Sequence, residues 1–371
     1  MPDGYRLRQV TIPELDASNL ESIVVGLNRI RAERQPRAVD LPVNEYQVFA
    51  TSPGSVRWHH VITDPEDGFA AYLNLGHADD GTNASFLNVS IGVLPEHRRR
   101  GIGSALLERA AEVARELDRS TMAGEVFDTA PAAERFMEAI GARTTLEMHN
   151  NVLGIADLDH DLLGRWEGEG PARAPGYSVE VVEGMYPDEI LDGMAHLYLV
   201  LERDSPMPEG WEPRNWSGQF VKAWLGNFLK GVDLITAIAI ENRSGAPVGM
   251  SQLGRRHSDD TTWFVTTTMV DPEHRGLALG KWVKAAASLR ALERWPGGVW
   301  METGNAYTNE PMLAINHAMG FRHEFTMSEV QVGVDQVEAY LLSRNQSGGV
   351  PGTSINGACT KASSAASAAS I

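Results

Sequence analysis

The sequence predicts a mixed α/β protein built from two tandem copies of one fold. Three observations carry this expectation. The 371 residues suit two domains at roughly 150 residues each. Pro95-Glu-His-Arg98 recurs intact as Pro272-Glu-His-Arg275, 177 positions on, within a gapless alignment of 93–103 with 270–280. Each copy follows a β-branched or alternating run and precedes an amphipathic one, the order strand, turn, helix. Gly4-Tyr5 and Gly176-Tyr177, then Gly141-Ala142 and Gly320-Phe321, fall at similar offsets.

In the first copy, residues 84–93 alternate like a strand and 95–100 interrupt them. Residues 103–117 then place Leu106, Ala110, Val113 and Leu117 on one helical stripe. In the second copy, 261–270 is β-branched and suits a strand. Residues 281–294 are helical, with Trp282, Val283, Ala286, Leu289 and Leu292 apolar. Short strands follow at 121–126 and 298–302, then helices ending at Gly141 and Gly320, then last strands at 144–153 and 325–334. Residues 164–175 are rich in Gly and Pro without periodicity and read as a linker. The expected division is therefore 1–163, a linker at 164–175, and 176–343. Residues 344–371 carry too little apolar surface to offset ordering entropy and read as a disordered tail.

Composition excludes several classes. At 43% hydrophobic and 22% charged, the chain is ordinary for a globular protein. A single cysteine, Cys359, rules out an intrachain disulfide framework and a Cys-based zinc site, and no metal is expected. The longest clean apolar run, Leu234 to Ile240 interrupted at Thr236, is far short of the about 20 residues of a membrane span. Met1-Pro-Asp-Gly-Tyr-Arg lacks the apolar core of a signal peptide, so a reducing cytoplasm is the expected compartment. A net charge of −17 repels nucleic acid and anionic membranes and favours a cationic substrate such as an amine.

The turn Arg98-Arg-Arg-Gly-Ile-Gly103 leads into a helix whose first N–H groups have no intrahelical partner. The helix dipole and close backbone approach at glycine make it a cradle for phosphate or pyrophosphate. Two commoner phosphate motifs fail. The third glycine of a dinucleotide fingerprint would be position 106, which is Leu. A P-loop needs four residues between its glycines, whereas Gly276 and Gly280 enclose three, and Lys281 is followed by Trp282.

Arg98-x-x-Gly101-x-Gly103, following Val93-x-Pro95, resembles the acyl-CoA pyrophosphate motif of the GNAT N-acetyltransferase family. Asn305 to Phe321 resembles that family's Asn…Asn…Met…Gly-Phe helix, and 132–142 is a looser match. The resemblance covers 80–150 and 255–335. The whole is similar to the tandem GNAT arrangement of mycothiol synthase and of antibiotic-cluster GNAT proteins. It implies bent sheets whose central strands splay near Val93 and Val270, with acetyl-CoA as co-substrate in the notch. In the first copy the implied contacts are Ile91, Gly92, Val93, Arg98, Arg99, Arg100, Gly101, Ile102, Gly103 and Ser104. In the second they are Met269, Val270, Arg275, Gly276, Leu277, Ala278, Leu279, Gly280 and Asn309. Two departures stand out. The first motif glycine of the second copy is Ala278. The frequent family tyrosine is Met137 in one copy and Asn316 in the other.

Proton-handling candidates are Glu302, read as ending its strand beside the notch, Glu125 at a comparable place in the first copy, and Tyr307 near the strand exit. His97 and His274 read as loop-stabilising, and Trp211 and Trp216 as pocket candidates. The expected function is transfer of acetyl from acetyl-CoA to a primary amine of a small molecule. Its chemistry is expected in the second copy, with Glu302 assisting amine deprotonation through water. Two other readings stay open: an acyl-CoA-binding scaffold or sensor without catalysis in one or both copies, and a protein N-acetyltransferase. Oligomeric state is not legible.

Overall fold

The computed structural model describes residues 1–346. Its elements begin with β1 (Arg6–Val10), α1 (Ala17–Arg34), α2 (Val43–Ala50), β2 (Ser55–Thr63), β3 (Phe69–Ala78) and β4 (Phe86–Val93). Next come α3 (Ile102–Glu116), β5 (Thr121–Phe127), α4 (Pro131–Ile140), β6 (Arg143–Gly154) and α5 (His160–Arg173). The pattern repeats with β7 (Tyr177–Glu183), α6 (Leu191–Asp204), α7 (Gly218–Phe228), β8 (Val232–Glu241), β9 (Ala246–Arg256) and β10 (Thr262–Val270). It closes with α8 (Leu279–Arg294), β11 (Trp300–Ala306), α9 (Glu310–Met319), β12 (Arg322–Gly333) and α10 (Val334–Gln346). The mixed α/β architecture is the expected one, duplicated.

The two compact units are not the expected halves. Among the described residues, unit 1 comprises Met1–Glu147, Pro208–Glu212 and 327–346; unit 2 comprises Met148–Met207 and Pro213–Thr326. The division expected at 163 and 176 instead falls inside two strands. In unit 1, β1 to β4 pair antiparallel in sequence, β4 pairs parallel with β5, and β5 pairs antiparallel with residues 327–333 of β12. In unit 2, β7 to β10 repeat that meander, β10 pairs parallel with β11, and β11 pairs antiparallel with residues 148–154 of β6. Each copy's last strand thus completes the other unit. The registers explain why no sequence signal marks the exchange. Met327 sits opposite Phe127 in unit 1, and Met148 sits opposite Ala306 at the equivalent place in unit 2.

The cores follow the exchange. In unit 1, Leu73, Leu87, Leu106 and Ala110 pack with Val332, Val334 and Val337 from the end of the chain. In unit 2, Trp263, Val283, Met301 and Phe321 pack with Leu153 of β6 and with Ile155 and Leu163, which follow it.

The segment expected as a linker is helical. Asp159 caps α5 by accepting from Leu162 N at 2.8 Å. An added Cβ at Gly170 would lie 2.2 Å from the Trp282 ring, so this glycine permits close packing of α5 on α8 rather than flexibility. The tail begins inside α10, where Arg344 Nη1 donates to Ser104 Oγ at 2.8 Å; from 347 onward it lies outside the described residues. Among the described residues, no helix is long and apolar enough to cross a membrane.

A fragment ending at 163 keeps β5 but loses β12 and α10. It forfeits Val332, Val334 and Val337, each worth about 1.5–3 kcal/mol when fully buried. That total rivals the whole stability of a domain. Fragment 1–163 is therefore expected to be unfolded or aggregated by circular dichroism and limited proteolysis. A protease-resistant, folded fragment would contradict the exchange.

Candidate active site

Both sheets open between their parallel strands. In unit 1, β4 and β5 pair only from Phe86↔Thr121 to Asn88↔Ala123, although β4 stays paired with β3 to Val93. The last close approach is at Gly124, where an added Cβ would lie 2.7 Å from Val89 O. Leu94 N donates to Ala70 O, so strand alternation turns the Ile91 and Val93 carbonyls toward the opening. In unit 2, β10 and β11 pair from Thr262↔Trp300 to Val265↔Thr303. A one-residue bulge on β10 follows at once, as Val265 faces Leu253 but Thr267 faces Gln252. Bulges bend a strand, and this one steers β10 away from β11. The openings begin near Val89 and Thr266, a few residues ahead of Val93 and Val270.

Each notch runs into a loop of the same shape. A short turn at Pro95–His97 or Pro272–His274 is followed by two left-handed positions. These are Arg99 (φ 62°) and Gly101 (φ 86°) in unit 1, and Gly276 (φ 82°) and Ala278 (φ 59°) in unit 2. Each copy spends its glycine at a different one of the two positions and strains the other residue. No side chain caps α3 or α8, whereas α1, α5, α7 and α9 are capped by Asp16, Asp159, Ser217 and Asn309. A Cβ built at Gly101 or Gly276 meets nothing within 4 Å. Open space beside these glycines and helix starts without a side-chain cap fit a pyrophosphate.

The conserved-looking loop side chains brace the backbone. Arg98 Nε donates to Val93 O at 2.9 Å while its Nη atoms grip both Glu33 oxygens. This grip holds the Glu33 carboxyl below its ordinary range. Arg275 Nε likewise donates to Val270 O at 2.9 Å, and its Nη2 binds Asp204. Tyr5 OH lies 3.0 Å from His97 Nδ1, and Tyr177 OH lies 2.9 Å from His274 Nδ1. The repeated Gly-Tyr landmarks are explained by these Tyr–His contacts. Arg100 Nη1 also donates to Tyr5 OH, at 3.1 Å. The Arg98 and Arg275 side chains are thereby committed to protein partners, while the backbone of 99–104 and 276–280 makes the turn into each helix.

The edge of β4 is partly occupied. Arg34 Nη2 donates to Ile91 O at 2.9 Å, and its Nη1 to Tyr72 OH at 3.1 Å. Tyr72 lies against Gly92, where a Cβ would sit 2.2 Å from the ring. In unit 2, among the described residues, no side chain donates to the equivalent Thr268 carbonyl beside Met269.

The carboxylates differ from expectation. The strand holding Glu302 runs on to Ala306, so Glu302 does not end it. Glu302 lies between Phe264 and Val152, ahead of the opening. The strand pairings set Trp300 level with Thr121, so Glu302 matches Ala123 and Glu125 matches Gly304. Glu125 is beyond the opening and directly faces Glu329 of β12. Burial first, and the Glu125 charge second, push the Glu329 carboxyl up to about 8. Such a pair retains a proton at neutral pH. Sequence reasoning missed Glu329 because it belongs to the second copy and works in the first unit. Its counterpart in unit 2 is Asn150, facing Gly304.

The remaining candidates are peripheral. Tyr307 is 60% exposed in the turn after β11, its ring 5.0 Å from that of His149. Asn309 caps α9 by accepting from Met312 N. Trp211 packs on Phe86 in unit 1, and Trp216 stacks on Tyr198 in unit 2. Among the described residues, no group of three His, Cys, Asp or Glu could hold a metal.

Residues 28–142, inside unit 1, match the family model described as "Acetyltransferase (GNAT) family". A tandem GNAT protein from the clavulanic acid biosynthesis pathway superposes with TM-score 0.73 at 24% identity, covering 89% of this chain and 98% of that one. This is a tandem GNAT fold. A GCN5-related N-acetyltransferase from Sphaerobacter thermophilus is similar at TM-score 0.59 and 15% identity, covering 90% of this chain and 97% of that one. A fungal glucosamine N-acetyltransferase region of a multi-domain β-N-acetylglucosaminidase gives 0.58 at 13%, covering 88% and 38%. No curated protein matches. The fold is one that supports acyl transfer in general. The GNAT tyrosine is Met137 in unit 1 and Asn316 in unit 2, so neither notch carries it.

The dyad makes stability pH-dependent. Glu329 is raised from 4.5 to about 8, so folding favours its protonated form. That contribution is fully present below about 4.5 and is lost as pH rises through about 8. Glu329→Gln cannot ionise. Thermal melts across this range should show wild type losing stability relative to the variant; parallel curves would place the dyad in water.

Proposed function

We propose that the protein is an N-acetyltransferase that moves the acetyl group of acetyl-CoA to the primary amine of a small molecule. The supporting observation is the coincidence in unit 1 of a splayed parallel pair, an uncapped helix start behind a left-handed loop, and the Glu125–Glu329 pair just beyond the opening. The similar tandem protein comes from the clavulanic acid pathway, which favours a small-molecule acceptor over a protein. The net charge of −17 suits an ammonium-bearing one.

On this reading the backbone at the start of α3 holds the pyrophosphate, and the freed edge of β4 aligns the pantetheine arm. The dyad takes the ammonium proton, the amine nitrogen attacks the acyl carbon, the C–S bond breaks with its electron pair on sulfur, and the second nitrogen proton passes to that thiolate or to solvent. Proton handling therefore moves from Glu302 to Glu125 and Glu329. Arg34 must leave the Ile91 carbonyl for the arm to pair there.

Thiol release with a panel of primary amines tests the activity. Glu329→Gln and Glu125→Gln are expected to cut kcat/KM at least tenfold, and by up to the ~10²–10⁴ typical of general-base help. The loss should shrink at high pH, where the amine is already neutral, and Glu302→Gln should retain activity. Acyl-CoA binding without thiol release for any amine would favour the scaffold reading instead. Separately, Arg34→Ala should tighten CoA binding about two- to tenfold by calorimetry, the worth of one displaced hydrogen bond; unchanged affinity would leave the Ile91 edge out of the ligand path.

A further inference from the structure

A polar chain is buried between α8, α9 and β11 of unit 2. Lys284 Nζ donates to Asn316 Oδ1, and Asn316 Nδ2 donates to Asn305 Oδ1 at 2.5 Å. Lys284 is 1% exposed and Asn316 0%. The other neighbours of the ammonium are Met312 Sδ at 4.0 Å on α9 and the Phe321 ring at 5.6 Å. Among the described residues no charged group offsets its burial, and desolvation lowers its pKa from 10.5 to about 7.

The same three positions are apolar in unit 1. The loop alignment sets Leu107 at the place of Lys284, the helix-ending glycines set Met137 at that of Asn316, and the strand pairing sets Val126 at that of Asn305. Leu107 and Val126 are buried. The fold therefore closes without polar groups here. An amine buried without a carboxylate lowers stability. Three mutually bonded polar side chains standing where the twin unit has three apolar ones point to chemistry rather than packing.

Their location gives the chemistry a place. Lys284 is five residues into α8, ~7.5 Å along the axis from the loop. Asn305 is two residues beyond Thr303, the last β11 residue paired with β10, so it lies where the notch is open. The hydrogen bonds have one polarity. Lysine only donates, so Asn316 turns Oδ1 toward it and Nδ2 toward Asn305. Asn305 accepts through Oδ1, which leaves its Nδ2 protons for a further acceptor. While Lys284 carries its proton, the cation at the head of such a chain strengthens the donor at its end.

We propose that Lys284, acting through Asn316 and Asn305, is a positioning residue that makes the unit 2 notch a site for the CoA thiolate. The inference rests on the reading of the notch as an acyl-CoA site. When the C–S bond breaks, the electron pair stays on sulfur, and the thiolate accepts a hydrogen bond from Asn305 Nδ2. No proton passes along the amides; the proton of the amine goes to solvent. The two notches then differ in kind: unit 1 offers a proton-accepting carboxyl pair, and unit 2, with Gly304 and Asn150 in those places, offers a polarised donor.

The test uses CoA itself on the full chain. Thiolate absorbance across pH reads the pKa of the bound thiol, and calorimetry reads affinity and stoichiometry. Wild type should lower the thiol pKa of CoA in unit 2 by about half a unit or more through hydrogen bonding to the charged form. Lys284→Leu, which copies Leu107, should abolish that shift while CoA still binds, and should melt higher than wild type. If Lys284→Leu fails to fold, the triple variant Lys284→Leu, Asn316→Met, Asn305→Val copies unit 1 throughout and answers the same question. A bound thiol that is unshifted in wild type, or a shift that survives these variants, overturns the inference alone. CoA that does not bind wild type at all overturns it together with the acyl-CoA reading.

Discussion

The early end of a parallel strand pair is the constraint around which each unit is arranged. Parallel neighbours normally satisfy each other's backbone along their whole length. Here β4 leaves β5 after Asn88, and β10 leaves β11 after Val265, so carbonyls and amides face an opening. Buried backbone groups without partners are costly. Each unit meets that cost at the loop end of the notch in the same way, with Arg98 on the Val93 carbonyl and Arg275 on the Val270 carbonyl. Those arginines are anchored by Glu33 and Asp204, and the following loop by Tyr5–His97 and Tyr177–His274. Arginines that look like phosphate ligands are spent holding the loop.

Duplication kept this frame and changed what lines it. Beyond the opening, unit 1 has Glu125 facing Glu329, where unit 2 has Gly304 facing Asn150. Behind the opening, unit 1 has Leu107, Met137 and Val126, where unit 2 has Lys284, Asn316 and Asn305. One frame thus carries different polar content in its two copies.

The strand exchange ties the two contents together. Glu329 is encoded in the second copy but lies half-buried in unit 1, so the Glu125–Glu329 pair cannot be assembled from the first copy alone. The chain likewise reaches unit 2 through the middle of β6.

Much was legible in the residues themselves. Pro-Glu-His-Arg at a 177-residue offset, the alternation before it and the amphipathic stripe after it determine strand, turn and helix, because those elements are dictated by local periodicity and turn chemistry. The loop glycines likewise marked a backbone cradle. What the residues did not determine was anything requiring a partner chosen over distance. Residues 164–175 read as a linker because glycine signals freedom locally, whereas Gly170 is there to admit the Trp282 ring. Glu302 and Glu125 look equivalent by distance from the loop, but the pairing registers set them two residues apart. The pairing of β5 with β12 rather than β6 leaves no local trace, since both strands present the same register to the same edge; only the tertiary structure decides between them, and with that choice it decides that Glu125 acquires Glu329.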